Sequence, residues 1–76
     1  MYWNGVDRLN PRKVAEQELL EAGFLYLRKG GSHDLYYDPL THQMIPLSRS
    51  SHFSTDDLKM IRSEIRSVLR SRQKGE

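Results

Sequence analysis

Phe24-Leu25-Tyr26-Leu27-Arg28-Lys29-Gly30-Gly31-Ser32-His33-Asp34-Leu35-Tyr36-Tyr37-Asp38 is the stretch whose reading decides the fold. Two runs rich in aromatic and branched side chains, Phe24 to Lys29 and His33 to Asp38, have the composition of strands, and the Gly-Gly pair between them is a turn signal. A third run, Gln43 to Ser48, follows the turn Asp38-Pro39-Leu40-Thr41. Three consecutive strands joined by short turns form an antiparallel meander. Pro46 lacks an N–H for the ladder, so the third strand is expected at an edge or with a bulge.

Working outward, the flanks are helical. Asn10-Pro11 is a helix start: Asn accepts from free N–H groups and Pro suits the first helical position. Val14, Ala15, Leu19, Leu20 and Ala22 supply an apolar stripe, and Gly23 a left-handed stop, giving an expected helix from about Pro11 to Ala22. After Ser54, Asp57 completes a capping-box pattern with Asp in the usual Glu position. Leu58, Ile61, Ile65, Val68 and Leu69 then share one helical face, which should pack on the sheet. The expected fold is α+β: helix-strand-strand-strand-helix, a three-stranded antiparallel sheet with both helices on one face. Residues 1–9 read as an arm, 10–71 as a single domain, and 72–76 as a flexible tail.

Composition sets outer limits. A 76-residue domain buries only about 60 to 65% of its extended-chain surface, so any site is expected to be shallow and open. The chain has no cysteine, which removes disulfides and thiolate metal sites. No apolar run approaches the roughly 18 residues of a membrane span, and the first residues lack the layout of a signal peptide; the expected location is the cytoplasm, with no membrane partner. Net charge is only +2, but Glu16, Glu18 and Glu21 make the first helix acidic while Lys and Arg dominate the segment from Lys59 to Lys74.

Gly30-Gly31-Ser32-His33 carries the chemistry. It is a hairpin turn, and it is also a place where a phosphate can lie against uncovered N–H groups beside an imidazole that titrates near neutral pH. Metal-free cleavage of RNA uses the neighbouring 2′-hydroxyl as nucleophile. It needs a base for that proton, an acid for the leaving 5′ oxygen, and positive charge or N–H groups at the phosphate. His33 can serve as base or acid. Ser32 and the N–H groups of Gly30 and Gly31 can contact the phosphate, and Arg28 or Lys29 can offset developing charge. His33, His42 and His52 are too far apart in sequence for a compact ligand motif, so no metal and no cofactor is expected. His42 reads as a hairpin residue near Asp38. His52 reads as a loop residue before the helix cap, or as the second acid.

Lys59, Arg62, Arg66 and Arg70 make a second stripe on the last helix. It reads either as a solvated face or as a phosphate-contacting surface, and Arg at 62, 66 and 70 rise about 6 Å per step. Tyr26, Tyr36 and Tyr37 either pack against neighbours or stack on bases. Trp3 on the arm reads as covering an exposed edge of the core.

Gly23-Phe24, Arg28, Gly31-Ser32-His33, Leu35-Tyr36 and Ile45-Pro46-Leu47, in this order and spacing, resemble the pattern of the HicA family of toxin mRNA interferases over about residues 13–69. The resemblance implies a fold similar to a double-stranded RNA-binding domain. It also implies endonucleolytic cleavage of mRNA by His33 and neutralisation by a HicB-type antitoxin. Where the family often has a histidine shortly after the third-strand proline, this chain has Ser48, and its last helix is longer and more basic. The competing readings are a non-catalytic RNA-binding module on the same fold and a small protein that binds only a protein partner.

Overall fold

The computed structural model describes residues 10–74; the expected arm and the last two positions of the expected tail lie outside the described residues. Helix α1 (Pro11–Glu21) is followed by strands β1 (Leu25–Lys29), β2 (His33–Tyr37) and β3 (Met44–Ser48), and then by helix α2 (Thr55–Lys74). The sheet order is β1-β2-β3 and both pairings are antiparallel. This is the α+β meander expected from the sequence, with dsRBD-like layering, and Pro46 does lie on an edge strand.

Local chemistry sets the element ends. The Asn10 side chain accepts from the Lys13 N–H at 3.1 Å, and Pro11 occupies the first turn. At the other end of α1, Gly23 takes φ 96°. Its N–H donates to Leu20 O and the Phe24 N–H donates to Leu19 O, each at 3.0 Å, a Schellman closure with Leu19 and Phe24 both buried. The Ser54 N–H donates to Asp57 Oδ2 at 2.9 Å and the Asp57 N–H to Ser54 Oγ at 3.4 Å, so the capping box forms with Asp.

One core layer lies between helices and sheet. It joins Val14, Ala15 and Leu19 of α1 with Phe24, with Tyr36, Ile45 and Leu47 of the strands, and with Leu58, Ile61, Ile65 and Val68 of α2. The buried strand residues alternate, so they define a single covered face with both helices on it. Leu20, placed on the apolar stripe by sequence, is instead 55% exposed. The stripe narrows to Val14, Ala15 and Leu19, with Ala22 partly buried against the same core, because one helix face is enough to meet α2. The last helix continues to Lys74, and Arg72 is held in it by a buried partner, so the domain reaches beyond residue 71 and Arg72 does not belong to a tail. Among the described residues no helix is long and apolar enough to cross a membrane.

Candidate functional site

The register fixes what surrounds His33. Tyr36 and Asp34 share the helix-facing side of β2, so His33, Leu35 and Tyr37 are on the outer side. His33 lies opposite Ser48, and Leu35 lies between Pro46 on β3 and Arg28 on β1. The last pairing depends on an irregularity in β1. Register shifts between Tyr26 and Arg28, a bulge that inserts Leu27. Strict alternation from the Tyr26 and Tyr36 pair would turn Arg28 toward the helices. The extra residue turns it outward, to the face of His33 and diagonally across from it, and leaves Lys29 opposite Asp34 on the other side.

The His33 side chain is exposed and its Nδ1 is 3.0 Å from the Ser32 hydroxyl. That bond orients the ring in either tautomer and leaves Nε2 uncommitted among the described residues. The glycines of the turn differ. The Gly30 N–H donates to His33 O at 2.7 Å, so it is not available to a phosphate as the sequence suggested. A Cβ at Gly30 would sit 2.7 Å from that same carbonyl oxygen, whereas at Gly31 it would meet nothing within 4 Å. Neither glycine has positive φ; Gly30 is required by close approach. The N–H groups of Gly31 and Ser32 donate to no described residue.

Beneath the turn is a group of charges that the sequence did not single out. Arg49, just after β3, donates to Gly30 O at 3.0 Å, to Gly31 O, to His33 O at 3.2 Å and to Asp34 Oδ1 at 3.0 Å. Arg12 of α1 donates to Asp34 Oδ2 and to Ser48 O, each at 2.7 Å, and pairs with Glu16. Burial alone would raise the Asp34 carboxyl, but the bonds from Arg12 and Arg49 outweigh it and hold the group below the usual aspartate value. Counting strand pairs outward from the turn at Asp38 sets Ser48 opposite His33, and that was the available signal for Arg49.

The remaining candidates are dispersed. Arg62 is engaged across the helix layer, Nε to Glu18 Oε1 at 2.9 Å and Nη2 to Glu18 Oε2 at 2.6 Å. Lys59, Arg66 and Arg70 are exposed on α2, in the layer behind the sheet from His33. Arg70 is near Arg72, which bonds to Asp38 just past the opposite end of β2. Tyr36 is buried and meets Tyr26 edge to face at 5.5 Å between centroids, so it belongs to the core and is not a base platform. The Tyr37 hydroxyl and His42 Nδ1 are 2.7 Å apart, and the His42 N–H closes the β2–β3 turn on Asp38 O, making His42 the hairpin residue expected. His52 is exposed in the turn before Ser54 and shares no hydrogen bond with His33. Among the described residues no group of three His, Asp or Glu side chains is arranged to hold a metal ion. No family model matches this chain, and no curated protein or solved structure matches it.

Proposed function

We propose that this protein is a HicA-like toxin of a toxin-antitoxin pair, an endoribonuclease that cleaves mRNA by acid–base catalysis at His33 without a metal ion. The observation that carries the reading is the grouping of an exposed His33, oriented by Ser32, with Arg28 brought to the same face by the β1 bulge and with the Gly31 N–H, uncommitted among the described residues, beside it. In this reaction the 2′-hydroxyl attacks the adjacent phosphorus and the bond to the 5′ oxygen breaks. The products are a 2′,3′-cyclic phosphate and a 5′-hydroxyl. The imidazole takes the 2′ proton as base or supplies the leaving oxygen's proton as acid, and Arg28 with the Gly31 N–H offsets charge on the phosphoryl oxygens. One positioned acid or base contributes roughly 10²- to 10⁴-fold, which corresponds to a slow nuclease. In this reading the partners are mRNA and a HicB-like antitoxin, in the cytoplasm, with no cofactor.

A second reading has its own observation. Among the described residues the only side chain hydrogen-bonded to the His33 imidazole is Ser32, so no second titratable group is joined to the ring. That favours a non-catalytic RNA-binding module in which His33 contacts backbone. Incubation of an end-labelled structured RNA with the protein and with His33→Ala in excess EDTA, between about pH 5 and pH 9, separates the two. Cleavage by the parent alone, leaving cyclic phosphate ends, supports the nuclease; equal cleavage by His33→Ala sinks it, and intact RNA retarded on a gel supports the binding module.

A further inference from the structure

We propose that Arg49 is a positioning residue that holds the turn at residues 30–33 so that two backbone N–H groups and the His33 imidazole face one phosphate. The proposal rests on the reading of this turn as the reacting site.

Four successive carbonyl oxygens accept from this one residue. The guanidinium takes Gly30 O, Gly31 O and His33 O, and the Arg49 backbone N–H takes Ser32 O at 3.1 Å. In a trans peptide the C=O of one residue and the N–H of the next point in opposite directions. With the carbonyls of Gly30 and Gly31 drawn toward Arg49, the N–H groups of Gly31 and Ser32 are aimed away from it, and both are uncommitted among the described residues. Successive N–H groups set in this way form an anion-binding concavity, and open space around Gly31 leaves it accessible.

The placement of Arg49 is itself over-determined. Asp34 accepts from both Arg49 and Arg12, and Arg12 is anchored to Ser48 O and to Glu16 on α1. The turn is thereby tied through ion pairs to the first helix, and it is built on the sheet and not on a loop alone. A lysine keeps the charge but not the planar fork that spans several carbonyls, so charge and geometry can be separated by substitution.

The test compares the parent with Arg49→Ala and Arg49→Lys by RNA-cleavage kinetics and by backbone ¹⁵N relaxation at residues 30–33. Misplacement of reacting groups predicts a loss of about 100-fold in kcat for Arg49→Ala with KM little changed, and only slight recovery in Arg49→Lys. Order parameters at Gly31 and Ser32 should fall from about 0.85 to below about 0.6 in both variants. Full activity in Arg49→Lys, or unchanged order parameters in Arg49→Ala, overturns the proposal. If the parent itself leaves RNA intact, the nuclease reading falls, and the relaxation data still decide whether Arg49 holds the turn.

Discussion

Arg72, near the end of α2, makes two hydrogen bonds to the fully buried carboxylate of Asp38 at the end of β2, Nη2 to Oδ1 at 2.9 Å and Nε to Oδ2 at 3.1 Å. Asp38 also accepts from Thr41 Oγ1 at 2.8 Å and from the Leu40 N–H at 3.2 Å, while the Arg72 guanidinium lies 5.8 Å from the centre of the Phe24 ring. The last turns of α2 thus close the hairpin and cover the helix-to-strand turn. Removing the cation leaves a buried carboxylate with only neutral donors, so Arg72→Ala is expected to cost about 3 kcal/mol. In a domain of this size that lowers the thermal midpoint by on the order of 15 °C. Ending the chain after Ser71 should do the same, and circular-dichroism melts of both variants check this; a midpoint unchanged in either rejects the lock.

The same pair predicts acid sensitivity. Burial acts to raise the Asp38 carboxyl, but Arg72, Thr41 and the Leu40 N–H outweigh it and bring it from 3.8 to about 2. The unfolded chain therefore binds a proton at higher pH than the folded one. The stabilisation, roughly 2 kcal/mol, is fully present above about pH 5 and is lost as pH falls through 4 toward 2. Asp34, also held low, adds to the loss in the same direction. Urea unfolding at pH 6 and pH 3 measures it, and Asp38→Asn should flatten the dependence.

The two glycines of the turn should separate fold from function. Gly30→Ala places a methyl group against the His33 carbonyl oxygen and is expected to destabilise by about 1 to 3 kcal/mol. Gly31→Ala meets open space and should stay within about 0.5 kcal/mol of the parent. If a phosphate lies against Gly31, its methyl group should nevertheless reduce RNA cleavage or binding. Equal activity in a stable Gly31→Ala would remove Gly31 from the site.

On α2, the basic residues should not behave alike. Arg62→Gln breaks the bidentate contact with Glu18 between the helices, a half-exposed pair whose loss should lower stability by less than about 1 kcal/mol. Lys59, Arg66 and Arg70 have no side-chain partner among the described residues. Neutralising these three should leave the melt unchanged. If they contact phosphates, it should weaken RNA binding and reduce the salt slope by about 0.7 to 0.9 per residue. An unchanged salt slope would assign them to the solvated outer face of the helix.

Short-range signals account for what was legible beforehand. Asn10, Gly23 and the Ser54–Asp57 box act within a few residues of themselves, so the helix ends follow from local hydrogen bonds. The strand runs and their turns follow from side-chain type, and the Gly30-Gly31 pair marks the first of those turns. The misplaced Leu20 shows the limit of a stripe read without its partner helix, because the width of the buried face depends on α2.

The amino-acid sequence by itself determined the order of elements, the antiparallel meander and the location of His33 at the start of the second strand beside the glycine turn, and it limited Pro46 to an edge or a bulge, since each depends on neighbours along the chain. Only the tertiary structure decided that the β1 bulge brings Arg28 to the face of His33, that Arg49 gathers the carbonyls of the turn, and that Arg72 reaches Asp38. The last two relations join residues 16 to 34 positions apart, and all three depend on strand register or helix docking. A one-residue slip in register reverses which side chains share a face, so no local pattern specifies them.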